Sequence, residues 1–145
     1  ERGLSCFDSD GQVVKPWWNC PMMDCYAMNV SEDGVWHCAY SAFSVVHVGF
    51  DRRQREWANP DIRGARAIVG WGDRVALYGG YQERDQHLST LMLAGNGLAK
   101  VESDCVALLP DCQETPWVTG RGPFFHALDN EIWYRLDPRT IAGGS

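Results

Sequence analysis

From Gly70 to Cys105 the chain alternates short β-prone runs with glycine turns, which leaves little choice of local structure. Arg74 to Tyr78 puts Val75 and Leu77 on one face and Arg74, Ala76 and Tyr78 on the other. That period of two is the signature of a strand. Gly79-Gly80 ends it and opens a polar loop, Gln82 to Gln86. Leu88 to Leu93 supplies a second strand, with Thr90, Leu91 and Leu93 as β-formers. Gly95-Asn96-Gly97 is a turn made of residues that tolerate positive φ. Leu98, Lys100 and Val101 then lead a third strand into Cys105.

The flanking sequence extends the pattern. Val35 to Phe50 is strongly β-prone, but Trp36, Cys38, Tyr40 and Ala42 alternate in one register and Phe43, Val45 and His47 in another. The shift predicts a bulge, or two strands with a bend, between Ser41 and Ser44. Ile62 to Trp71 and Glu131 to Leu136 read as further strands, the last ended by Asp137-Pro138. Asp8 to Gly11 is a hairpin turn lacking the ligand spacing of a calcium loop. Gln12 to Val14 follows as a strand that Pro16 stops. Cys20 to Met28 reads as a short helical turn with Pro21 at its first position. The fold class expected is α+β, mostly antiparallel β. The expectation is a single disulfide-stabilised domain over residues 1–142 with a short N-terminal helix or helical turn, then a flexible tail, 143–145. VALYGGY and HALDNEIWYRLDP resemble propeller-blade strands. No repeat of roughly 20–50 residues stands out, and the length falls short of a closed ring.

At 145 residues and 45% apolar, one domain with a substantial core is expected. A net charge of −6 weighs against broad attraction to nucleic acid or acidic membrane. The six cysteines, Cys6, Cys20, Cys25, Cys38, Cys105 and Cys112, show no zinc spacing and read as a disulfide framework. That implies an oxidising compartment and secretion. Asn29-Val30-Ser31 is a glycosylation sequon compatible with that route. With no leader and no apolar run near 18 residues, the chain is expected to begin at a mature N-terminus and not to insert in a membrane. No cofactor and no metal is expected.

Trp17 and Trp18 are adjacent, so a strand would send them to opposite faces and leave one to stack on a sugar or base. Five arginines between Arg52 and Arg66 form the locally basic stretch of an acidic chain. Their functional reading is an anion grip that includes Arg66. P-loop, dinucleotide, zincin and nucleophile-elbow motifs are absent from the sequence.

The order Gly49-Phe50-Asp51, Glu56-Trp57, Gly72-Asp73-Arg74-Val75, a strand, a Gly-Asn turn and Cys105 resembles the small secreted fungal guanyl-specific ribonucleases. The resemblance covers roughly residues 47 to 105 and implies a short helix packed on an antiparallel sheet. It implies Glu56 as general base and Arg74 as phosphate ligand. It also implies a clasp from Cys6 to Cys105, which is the connectivity favoured among the fifteen that six cysteines allow. The chain departs from the pattern at the acid: Thr90 or Leu91 stands where a second His is expected. His47, His87 and His126 are the candidates to replace it.

RNA cleavage through a 2′-hydroxyl needs a base, an acid for the leaving oxygen and a cation at the phosphate. Without a matched acid the rate falls by a factor on the order of 10² to 10⁴. The leading expectation is therefore a secreted binding or effector-type protein acting by surface recognition of a protein or glycan partner, on a ribonuclease-like scaffold without activity. The alternatives are an active endoribonuclease on single-stranded RNA, using Glu56, Arg74 and His47 or His87, and a carbohydrate-binding module. The oligomeric state is left open.

Overall fold

The computed structural model describes residues 4–18, 24–40, 42–107, 109 and 115–141. The first hairpin pairs β1 (Leu4–Phe7) with β2 (Val13–Trp18). A first sheet follows in chain order: β3 (Cys25–Ser31), β4 (Gly34–Ala39), β5 (Val45–Gly49) and β6 (Gln54–Trp57). The second is β7 (Ala67–Trp71), β8 (Arg74–Tyr78), β9 (His87–Leu93) and β10 (Ala99–Val106). The third is β11 (Trp117–Arg121), β12 (Phe124–Asp129) and β13 (Ile132–Leu136). Every neighbouring pair within these sheets is antiparallel.

Each sheet is a meander of consecutive strands, and the three begin alike. Ser31 faces Gly34, Trp71 faces Arg74 and Arg121 faces Phe124 across the same two-residue turn. The first strands β3, β7 and β11 touch one another, so the sheets fan out from a shared line. Two glycines make that approach possible. A Cβ on Gly120 would overlap the Ile68 carbonyl, and one on Gly70 would enter the Trp36 indole. Asn29 adds a direct tie, donating its side-chain amide to the Gly122 carbonyl at 2.8 Å.

The fan places the second sheet between the other two. Its face with Ile68, Val75, Leu77 and Leu91 packs with Trp36 and Trp57 of the first sheet. Those two indoles stack at 6.2 Å between centroids, 18° apart. The opposite face, with Val69, Ala76, Tyr78 and Leu88, packs with Val118, Phe125 and Ala127 of the third. The alternation of Val75 and Leu77 against Ala76 and Tyr78 thus holds, with both faces buried. A strand of this kind is apolar throughout because no face meets water.

Several expectations are corrected. The fold is not α+β: among the described residues the helical structure is a 3-10 turn at Gln82–Arg84 and helix α1 (Pro138–Ile141). Cys25 to Met28, expected in a helical turn, lies in β3, where burial of Ala27 and Asn29 alternates with exposure of Met28 and Val30. Cys20 to Met23, the first part of that prediction, falls outside the described residues. The expected disulfide framework is not found among the described residues: Cys6, Cys25, Cys38 and Cys105 are free, while Cys20 and Cys112 lie outside them. The clasp from Cys6 to Cys105 is absent because each thiol turns to a local carbonyl, Cys6 to Phe7 and Cys105 to Leu88. Pro16 does not stop its strand; β2 continues through Trp18. The structural repeat is present although its spacing hid it in the sequence. Residues 143–145, expected as a tail, are not described.

Candidate functional site

Tyr26 opens the inner part of β3, Tyr40 follows β4, Phe43 lies in the β4–β5 loop and Tyr81 follows β8. The alternating geometry of consecutive antiparallel strands brings these loops to one end of the molecule. There the four rings form a closed cycle of contacts. Centroids are 5.6 Å apart for Tyr26–Tyr40, 5.8 Å for Tyr40–Phe43, 5.7 Å for Phe43–Tyr81 and 6.1 Å for Tyr81–Tyr26. The last three pairs are edge-on, the arrangement that the ring quadrupole favours. Tyr81 donates its hydroxyl to that of Tyr26 at 2.9 Å. This bond first, then burial and the nearby Tyr26, Tyr40 and Asp24 groups, push the Tyr81 phenol up to about 12.

The cycle is held by backbone. Phe43 sits in the left-handed region at φ 53°, and Gln82, next to Tyr81, at 62°. Non-glycine residues there carry strain that surrounding structure must hold in place. Buried Asn59 does so for Phe43, donating to its carbonyl at 3.1 Å and to that of Ile62 at 2.6 Å. The Tyr81 amide donates to the Arg63 carbonyl at 2.9 Å, and the Tyr81 ring lies flat on Gly64. Arg63 sets its guanidinium 5.9 Å from the Phe43 centroid. Arg63, Arg84, Asp61, Tyr81 and Gln82 line a cleft of about 210 Å³ beside the rings. Tyr40 and Tyr81 are exposed, so the surface offers aromatic area, phenol hydroxyls and cations together.

A second network stands nearby. Asp104 accepts from Ser89 at 2.8 Å and Arg84 at 2.9 Å, and lies 3.2 Å from His87 Nδ1. Burial opposes the Asp104 carboxylate, but Ser89, His87 and Arg84 together outweigh it and hold its pKa below the usual range. Serine and histidine both bond the carboxylate and not each other, so this is not a nucleophile-and-base arrangement.

The residues expected to act together are dispersed. His47, on β5, lines an open cleft of about 680 Å³ with Asp33, Asp51, Arg53 and Arg55. Arg55 stands 3.2 Å from its Nδ1 and can only donate, so that nitrogen is an acceptor and Nε2 carries the proton, 3.4 Å from Asp33. Burial first, with the Arg55 charge, pushes the His47 pKa down against the pull of Asp33 and Asp51. Nδ1 is therefore engaged by Arg55, while among the described residues Nε2 has only the longer ion-pair contact with Asp33 and no hydrogen bond. Glu56 lies on the other face of β6, opposite Val46, and is exposed. Arg74 is bound by Glu102 at 2.8 Å and Asp73 at 2.9 Å. It pairs with Met92, whereas His87 begins the same strand β9, on the order of 15 Å away at ~3.3 Å per residue. His126 bonds the Trp133 indole on the third sheet.

The basic stretch is likewise shared out. Arg53 pairs with Asp51, Arg55 also covers Trp57, and Arg66 grips the carboxylate and carbonyl of Asp85 and packs under Gly79. Trp17 and Trp18 are consecutive in β2. Among the described residues no group of three or more His, Cys, Asp or Glu is placed to hold a metal ion. No helix among them is long and apolar enough to cross a membrane. The sequence reading missed Tyr26, Tyr40, Phe43 and Tyr81 as a group. The register shift at Ser41 to Ser44 marked the loop that carries Phe43, and was the available signal. The chain matches no protein-family model and no curated protein.

Proposed function

We propose that this chain is a recognition protein that binds a protein or glycan partner through the aromatic and arginine surface around Tyr40 and Tyr81, without turnover. The observation that carries this reading is the four-ring cycle, held by strained backbone at Phe43 and left partly open to solvent. Tyrosine and arginine give large contact area and directional hydrogen bonds at low entropic cost, which is why they dominate binding hot spots. The separation of Glu56, Arg74 and His87, and the engagement of His47 Nδ1 by Arg55, supports binding over cleavage.

The test has two arms. A microarray of proteins and glycans is probed with folded wild type and a Tyr40→Ala/Tyr81→Ala variant; partners retained by wild type and lost by the variant are expected. In parallel, a fluorescent single-stranded RNA containing G is incubated with wild type and Glu56→Gln. Cleavage by wild type that Glu56→Gln abolishes would overturn the proposal in favour of an endoribonuclease.

A further inference from the structure

The three sheets start with equivalent hairpins, so their positions can be matched from the turns outward. The first two sheets have four strands and the third has three. In each complete sheet the fourth strand, β6 or β10, pairs antiparallel with the third and forms the edge away from the shared line. The third sheet stops at β13, so among the described residues the place that β6 and β10 take in the others is open.

The edge is fitted to receive a strand. Asp129 faces Ile132 across the two-residue turn Asn130-Glu131, and Asn130 has the positive φ, 51°, that such turns favour. The closing pair of a two-residue hairpin exchanges both backbone bonds, and bonded and non-bonded pairs alternate from there. Ile132, Tyr134 and Leu136 therefore bond to β12, while Trp133 and Arg135 turn their N–H and C=O groups outward. Edges of this kind are normally blunted by charge, brevity or a bulge. β6 is four residues long and exposes Gln54, Arg55 and Glu56; β10 carries Lys100, Glu102 and Asp104 and a register shift between Val101 and Ser103. β13 has the single charge of Arg135, and leaves Ile132 49% and Trp133 69% exposed.

The complete sheets also show what such a strand carries. Trp133 stands where Val45 and Leu88 do, and these face Trp57 and Cys105 of the fourth strands. Arg135 stands where His47 and Thr90 do, and these face Arg55 and Ser103. Each fourth strand thus sets an apolar residue beside the first position, and a polar residue, two earlier in its own sequence, beside the second. In the third sheet the Trp133 indole is fixed by donating to His126 Nδ1 at 3.0 Å, and offers a preformed apolar wall. Arg135 is a cation where the other sheets have His47 and Thr90, and the strand positions of its face hold no carboxylate. The polar residue that complements it is acidic.

We infer that the open edge of β13 binds an extended segment of another polypeptide as a fourth, antiparallel strand, and selects one with Asp or Glu two residues before an aromatic or aliphatic residue. Backbone bonds to Trp133 and Arg135 supply the affinity, and the alternate side chains supply the selection. The edge uses none of the residues of the aromatic cycle around Tyr81.

The probe is a fluorescein-labelled heptapeptide, Thr-Val-Asp-Val-Trp-Thr-Thr, titrated with wild type and followed by fluorescence anisotropy. Its partner peptide, Thr-Val-Asp-Trp-Val-Thr-Thr, has the same composition but puts the acid and the indole on opposite faces of a strand. Wild type is expected to bind the first and not the second. Arg135→Glu, at an exposed position and checked for folding by far-ultraviolet circular dichroism, is expected to bind the first peptide roughly tenfold more weakly or worse, the cost of a like-charge pair. The same variant is expected to recover binding when Lys replaces Asp in the peptide. Amide hydrogen exchange followed by NMR separates strand addition from docking on the indoles: the Trp133 and Arg135 amides are expected to become protected when the peptide binds. No binding by wild type at millimolar peptide overturns the inference. So does equal binding of the two peptides, or binding that leaves those two amides unprotected. Protection of both amides in concentrated wild type without peptide also overturns it, since a second copy of the chain would then occupy the edge.

Discussion

Asn59 holds the carbonyl of Phe43 at 3.1 Å, and Phe43 is the ring whose backbone sits in the left-handed region. The same amide bonds Ile62, and the Asn59 oxygen accepts from the Ile62 amide at 3.1 Å, so one buried side chain joins the β4–β5 loop to the β6–β7 loop.

Asn59→Ala is therefore expected to cost about 1–3 kcal/mol, the price of leaving buried carbonyls without donors. Urea denaturation measures the cost. Because the loop that carries Phe43 is released, near-ultraviolet circular dichroism of the tyrosines is expected to weaken before the chain unfolds. An unchanged aromatic spectrum would show that the ring cycle does not depend on this anchor.

Gly120→Ala should be worse tolerated than a glycine change at the open position Gly95. The new methyl meets the Ile68 carbonyl, which is backbone and cannot swing aside. Overpacking of this kind costs about 1–3 kcal/mol or more, and here it forces β11 away from β7. Thermal melting of Gly120→Ala beside Gly95→Ala checks the contrast, and equal midpoints would refute it.

His37 gives stability a pH dependence. Burial pushes its pKa down to about 4 from the ordinary 6.5. Above pH 6.5 neither state takes the proton. Between those values the unfolded chain binds it and the native chain does not, so stability falls as pH drops, levelling off below about 4. The full effect is roughly 3 kcal/mol at 1.36 kcal/mol per unit. His47 is shifted in the same direction and adds to the slope. Urea midpoints from neutral pH downward are expected to fall less steeply in His37→Gln than in wild type.

Asp104 acts at lower pH. Its folded pKa is depressed, so its contribution is complete above the unfolded value of 3.8 and disappears as pH falls through the folded one. Asp104→Asn is expected to lose about 1 kcal/mol at neutral pH and to converge with wild type in strong acid. A constant gap between the two down to the lowest pH would place the cost in packing and not in the charge.

Much of this architecture was legible. The alternation of Val75 and Leu77 with Ala76 and Tyr78 predicted β8, and the Gly95-Asn96-Gly97 turn joins β9 to β10 as read. The bend predicted between Ser41 and Ser44 is the β4–β5 loop. What failed were inferences that depend on tertiary neighbours. Paired cysteines were expected from an even count without zinc spacing and from the ribonuclease resemblance, yet Cys6 and Cys105 each face a local carbonyl. The repeat was hidden because equivalent positions differ in chemistry: Trp117 takes the place in the fan that Ala27 and Ala67 hold. The aromatic cycle draws on residues from Tyr26 to Tyr81, far apart in sequence, so periodicity within any one strand could not assemble it.

Strands adjacent in each sheet are also consecutive in the chain. Each meander can thus zip from its own short turns without waiting for a distant partner, which keeps loop-closure costs small. The slow event left over is the meeting of β3, β7 and β11 along their shared line. Folding should accordingly look like separate hairpins forming early and one late collective step, with substitutions at Gly70 and Gly120 changing mainly the rate of that step.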